Sequence, residues 1–109
     1  MDNNAQNERK DKYKCSVEYT LSFIGGKWKT IILWHLGVEG THRYGELKKK
    51  LNGINHKMLS QQLKELAEDG LINRVEYSQI PPKVEYSMTE KGMEFMEILK
   101  FMHEWGSKN

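Results

Sequence analysis

One stretch of nineteen residues, 52–70, limits what this chain can fold into. Asn52-Gly53 marks a turn, and Asn55 is placed to cap the helix that follows by accepting from its first free backbone amides. Gly70 suits the left-handed position just past a helix end, where Leu71 can fold back on Leu66. Between these stops, Leu59, Leu63 and Leu66 fall on one face at helical spacing. At 100° per residue, Lys57, Gln61 and Lys64 point the other way and Ser60 lies on the flank. Glu65 and Glu68 share the outer side but come later. Cations and amides in the first turns, acids in the last, is the polarity of a helix that enters a DNA major groove by its N-terminal end. There Lys meets phosphate or guanine, Gln can read adenine, and Ser adapts. An ordinary solvated face has a similar composition, so the neighbouring segments decide.

They repeat the same grammar. Residues 44–51 form a short helix with Tyr44, Leu47 and Leu51 inward and Lys48, Lys49 and Lys50 outward. Gly53 then turns the chain into the polar-faced helix, giving a helix-turn-helix. Upstream, residues 16–24 carry Val17, Leu21 and Ile24 on one side and end at Gly25-Gly26. Residues 27–36 are apolar around more than half their circumference, as expected of a central core helix, and Gly37 and Gly40 close it. After Gly70 the period drops to two. Leu71, Asn73, Val75 and Tyr77 alternate with Ile72, Arg74 and Glu76, and Val84, Tyr86 and Met88 alternate with Glu85 and Ser87. Residues 78–83, with Pro81-Pro82, connect the two strands, and a proline-bearing tip cannot extend the ladder. The fold expected is α+β, mainly α: a winged helix-turn-helix with a β-hairpin wing and a C-terminal dimerisation helix. Arg74 and Lys83 are expected on or beside the outward face of the wing, and Lys48 and Lys49 beside the helix-turn-helix, all four meeting phosphates.

Thr89 caps the last helix, and Glu90 suits its dipole. Over residues 93–105 the apolar arc is wider than one small domain covers. Part is read as core and part as a dimer interface, for which Met93, Met96, Leu99, Met102 and Trp105 are the candidates. A chain of 109 residues with 38% hydrophobic content builds one modest core and gains stability by pairing. Residues 1–13 hold almost no apolar side chain and are expected to be a disordered arm ahead of a single domain over 14–109.

The net charge of +2 is uninformative, but its distribution is not. Residues 1–64 carry 12 Lys/Arg against 6 Asp/Glu, and residues 65–109 carry 5 against 9. The basic half contains the helix-turn-helix, as a surface facing a polyanion requires. The longest strictly apolar run is Ile31-Ile32-Leu33-Trp34, far short of a membrane helix. A single cysteine forbids an intrachain disulfide, and a cytoplasmic protein is expected. His35, His42, His56 and His103 are scattered without ligand spacing, so no metal is expected, and His35 is read as a core histidine. No nucleophile-base set or phosphate loop stands out; neither enzyme activity nor a cofactor is expected.

Cys15 sits just before the first apolar helix beside Lys14 and near Lys12. A helix N-terminus and nearby cations favour the thiolate, the reactive form. The contrary reading is an inert cysteine buried under the last helix.

Several segments together resemble a known family. They are Cys15; Ile24-Gly25-Gly26-Lys27-Trp28; Arg43-Tyr44-Gly45-Glu46-Leu47; Gly53-Ile54; Glu68-Asp69-Gly70-Leu71-Ile72; Arg74; Pro81-Pro82-Lys83-Val84-Glu85-Tyr86-Ser87-Met88-Thr89; and Gly92. In order and spacing the chain resembles the HxlR-type winged helix-turn-helix transcriptional regulators of bacteria, relatives of the MarR group, from about residue 15 to 105. Asn55 stands where Ser is common in that family, and both can cap. The resemblance implies a homodimer with first and last helices at the interface, two recognition helices on double-stranded DNA, and in some members a cysteine at the place of Cys15 that senses oxidants or electrophiles. A small-molecule effector is compatible with this architecture but is not named by the sequence. The competing function is a winged-helix module that binds protein instead of DNA, which Glu65 and Glu68 keep open.

Overall fold

The computed structural model describes residues 3–109. In chain order the elements are α1 (Asn3–Asp11), α2 (Ser16–Ile24), α3 (Lys29–Glu39), β1 (His42–Arg43), α4 (Tyr44–Lys50), α5 (His56–Glu68), β2 (Ile72–Tyr77), β3 (Lys83–Met88), α6 (Glu90–Glu94) and α7 (Met96–Lys108). This is a winged helix-turn-helix: α4 and α5 form the bihelical unit, and β2–β3 form the wing.

The ends of α5 are made as its sequence requires. The Asn55 side chain accepts from the Met58 amide at 2.7 Å. At the other end the Leu71 amide donates to the Leu66 carbonyl and the Gly70 amide to the Ala67 carbonyl, both at 3.0 Å. Those two bonds are a Schellman stop, and Gly70 takes the positive φ of 75° that it needs. Leu59, Leu63, Leu66 and Leu71 are buried together with Ile32 and Leu33 of α3 and Leu47 of α4. The core therefore lies between the central helix and the helix-turn-helix, and it fixes which face of α5 looks out.

Helix α3 runs through Gly37 and stops at Gly40, whose φ is +89°. Gly37 breaks nothing. A Cβ there would run into the Met96 side chain, so the glycine lets α7 approach α3 closely.

The wing has a third strand that no periodicity announced. Two residues, His42 and Arg43, pair antiparallel with Tyr86 and Glu85, giving the strand order β1-β3-β2. In the hairpin, Ile72 faces Met88, Arg74 faces Tyr86 and Glu76 faces Val84. Directly opposed residues share a face, so Arg74 belongs to the face that carries buried Ile72 and Tyr86. Asn73, Val75 and Tyr77 lie on the other, solvated face. The connecting loop leaves Ile80 fully exposed, before a cis Ile80–Pro81 bond.

Two expectations are corrected here. The arm over 1–13 is not disordered in its described part: Asn3–Asp11 is helical, and Met1 and Asp2 lie outside the described residues. Arg9 anchors α1, and composition averages such a residue away. Its guanidinium lies over the Phe23 ring at 3.8 Å and bonds Asp69 at 2.6 and 3.3 Å, and it also donates to Ser22. The second correction concerns the last helix. Met96 and Leu99 are buried in the chain's own core at 4% and 3% exposure. Of the five interface candidates only Met93, Met102 and Trp105 are exposed. The helix breaks at Phe95, and α7 packs against α3 by the face that carries Met96 and Leu99. Helical spacing gave an apolar arc but not the direction from which α3 covers it.

Candidate nucleic-acid interface

The outer face of α5 has the side chains expected of it. Lys57, Ser60, Gln61 and Lys64 are all exposed. None of them packs into the core, because the three leucines on the opposite face consume the buried surface. The acids that follow differ. Glu65 is bonded by Lys29 of α3 at 2.7 Å and by the Gln61 amide at 2.6 Å, and these two contacts, Lys29 first, hold its carboxyl below the ordinary range. Glu68 remains exposed.

The start of α5 is fixed by a residue that the sequence reading placed in the core and gave no site role. Tyr44, the first residue of α4, brings its hydroxyl within 2.6 Å of His56 Nδ1, donates to the His56 carbonyl at 3.1 Å, and lies 3.4 Å from Ser60 Oγ. Its ring meets the His56 ring edge to face. The turn between the two helices is thus closed by side chains as well as by Gly53. No sequence spacing announces a contact across twelve residues, so Tyr44 and His56 are found only in three dimensions.

Of the four phosphate candidates, Lys48 and Lys49 are exposed on α4. Their neighbour Lys50 is engaged elsewhere, at 2.9 Å from Glu39 and 2.7 Å from His42 Nε2. Lys83 lies on the outward wing face but is partly occupied, 3.5 Å from Glu85 and 4.6 Å from the centre of the Tyr77 ring. Arg74 departs from expectation. It sits on the inward face of the wing, paired across the strands with Tyr86 and 3.5 Å from Glu76. With Tyr44, His56, Ser60, Lys64 and Tyr86 it lines a groove of about 540 Å³ between recognition helix and wing. Strand pairing opposite Tyr86 puts it there, and alternation along one strand cannot tell which face is covered.

Among the histidines, His42 and not His35 is the buried one. Its Nδ1 lies 2.6 Å from the Gly40 carbonyl, which can only accept, so Nδ1 carries the proton and Nε2 accepts from Lys50. His35 is half-buried and pairs with Glu39 at 2.7 Å. Among the described residues no group of His, Cys, Asp and Glu could hold a metal. Cys15 is exposed in the single chain and not buried under the last helix. It is the residue before α2, with extended backbone, and it lies in a depression with Lys10, Asp11, Lys14 and Tyr19.

A basic, amide-bearing helix presented beside a three-stranded wing is the geometry of a DNA-reading domain. Residues 23–109 match the model of the HxlR-like helix-turn-helix family. The chain belongs to the HxlR family. As an HxlR-type protein it is 76% identical to the regulatory protein MalR of Fusobacterium mortiferum, over 94% of this chain and 96% of that one. It is 51% identical to the helix-turn-helix transcriptional regulator YtcD of Bacillus subtilis, over 92% and 79% of the two chains. Among solved structures, the redox regulator HypR in its oxidised form superposes with a TM-score of 0.83 at 46% identity, covering 87% of this chain and 97% of that one. The HxlR-type chain is accordingly a DNA-binding transcriptional regulator and not an enzyme. Among the described residues no helix is long and apolar enough to cross a membrane.

Proposed function

We propose that this regulator acts in the cytoplasm as a homodimer on a palindromic operator, and that Cys15 makes its DNA affinity depend on oxidants. The observation that carries the first part is the face of α5 on which Lys57, Ser60, Gln61 and Lys64 are all exposed. In this reading these four enter the major groove, Lys48 and Lys49 meet phosphates, and Lys83 and Arg74 serve the strand that passes the wing. The protein-interaction alternative is weakened by Glu65, whose charge Lys29 takes up.

Dimerisation is supported by a strip of apolar side chains that the subunit leaves in water. Val17 and Leu21 of α2 and Ile98, Phe101, Met102 and Trp105 of α7 are all exposed. A monomer seldom leaves such a contiguous patch uncovered. In this reading the two α5 helices of the dimer meet half-sites about one DNA turn, roughly 34 Å, apart.

For Cys15, exposure and the neighbouring lysines support reaction with peroxide. The thiol sulfur takes one oxygen to give a sulfenic acid and water. Condensation with Cys15 of the partner subunit then forms the disulfide and releases a second water. HypR is described as a redox regulator, which agrees with this reading. The test is a mobility-shift titration on the DNA flanking the protein's own gene, before and after mild peroxide, with wild type and Cys15→Ser. A retarded complex whose affinity changes with peroxide only in wild type is expected. Sequence-independent binding alone would reject the operator reading, and equal responses of the two proteins would reject Cys15.

A further inference from the structure

Lys29 is an unusual first residue for a helix. A cation at that end opposes the helix dipole, the preceding Trp28 supplies no side-chain cap, and the first turn of α3 holds no acid. It is also buried, at 8% exposure. Neither helix stability nor solvation accounts for it. Its ammonium group instead reaches across to α5 and meets the Glu65 carboxylate at 2.7 Å. Glu65 spends its second oxygen on Gln61 Nε2, at 2.6 Å. Three side chains thus run in series from the core to the middle of the exposed face of α5.

The series has a chemical consequence. A carboxylate only accepts, so the amide nitrogen of Gln61 must face Glu65 and its Oε1 must face away. When the hydrogen trans to Oε1 is the one that meets Glu65, the other stays open beside Oε1. An adjacent donor and acceptor match adenine, which offers an N6 hydrogen and the N7 lone pair in the major groove; guanine offers two acceptors there. A free glutamine samples both amide orientations, and a fixed one presents a single pattern. Lys29 also cancels an acid that would otherwise repel phosphates from this face.

Resting on the reading of α5 as the recognition helix, we propose that Lys29 and Glu65 are positioning residues for base readout. Lys29 anchors Glu65, Glu65 orients the Gln61 amide, and Gln61 so held selects adenine at one position in each half-site.

The experiment is parallel selection from a randomised duplex library with the full chain: wild type, Gln61→Ala, Glu65→Ala, Glu65→Gln, and the double variant Lys29→Met/Glu65→Ala, which leaves no orphaned buried charge. Binding is then titrated on the selected duplex and on its three single-pair changes at the position that Gln61→Ala flattens. Wild type is expected to prefer adenine there by roughly tenfold or more, the scale of a bidentate base contact. Glu65→Ala and the double variant should reduce that preference to about twofold, leave every other position intact, and bind random duplex no more weakly. Glu65→Gln still accepts the amide hydrogen and should keep most of the preference. A merely structural role for the series would lower all positions together or none. Full adenine preference in Glu65→Ala overturns the proposal, as does a Gln61→Ala profile identical to wild type. A wild type that enriches no sequence overturns the recognition-helix reading itself.

Discussion

Substitutions at two positions six residues apart on α7 should act on different equilibria, one on assembly and the other on folding. Leu99 is buried in the subunit and Trp105 is 71% exposed. Trp105→Ala should leave the fold intact and dissociate the proposed dimer. A Trp side chain can bury up to about 250 Å², so roughly 180 Å² of each Trp105 is open to a partner. At about 25 cal/mol per Å² that area is worth about 4 kcal/mol per copy. A two-fold interface counts it twice. Incomplete burial and the ordering of side chains on association take back about half. The net loss is about 4 kcal/mol, close to a thousandfold in the dissociation constant. Leu99→Lys instead places an unpaired ammonium group in the core, at a cost of about 4 kcal/mol or more. That consumes much of the 5–15 kcal/mol that holds a domain of this size together. Sedimentation across nanomolar to micromolar concentrations, paired with urea unfolding, separates the two effects. A Trp105→Ala chain with an unchanged dissociation constant would refute the assignment of this strip. So would a Leu99→Lys chain that unfolds at the wild-type midpoint and sediments as a monomer, since it would place Leu99 at the interface.

Gly92→Ala should destabilise the fold by about 2 kcal/mol in urea, because the added Cβ meets the Leu71 carbonyl oxygen, a backbone atom that cannot step aside; a gain in stability, as helix propensity alone would give, contradicts this. Arg9→Ala should cost about 1–2 kcal/mol and speed amide exchange in α1 and in the Asp69–Leu71 turn together, since one guanidinium ties the two; unchanged exchange at that turn would show that α1 is not docked. The Glu39 carboxyl, held by His35 and then Lys50, should titrate at about 2 instead of 4.5. Its contribution to stability is then full above pH 4.5 and lost as pH falls toward 2, and Lys50→Met should raise the midpoint seen by carboxyl NMR.

What the sequence determined by itself was what local chemistry decides. Asn55 and Gly70 bounded α5 because caps act through neighbouring backbone amides and carbonyls. Leu59, Leu63 and Leu66 identified its inner face, and so Lys57, Ser60, Gln61 and Lys64 as its outer one, because a helix has a fixed pitch. Thr89 started α6 in the same way, accepting from the Gly92 amide at 3.0 Å. The tertiary structure decided whatever depends on which neighbour arrives. Alternation put Arg74 on one of two wing faces, but only pairing with Tyr86 and docking near α5 made that face the inner one. An apolar arc on the last helix did not say that α3 would cover Met96 and Leu99 and leave Trp105 bare. A polar N-terminal segment looked unfoldable because its contacts are distant in sequence: Arg9 reaches Ser22 thirteen residues on and Asp69 sixty residues on. The Lys29–Glu65–Gln61 series was hidden for the same reason. Each of its links is short in space, but the one that joins two helices has no period in sequence.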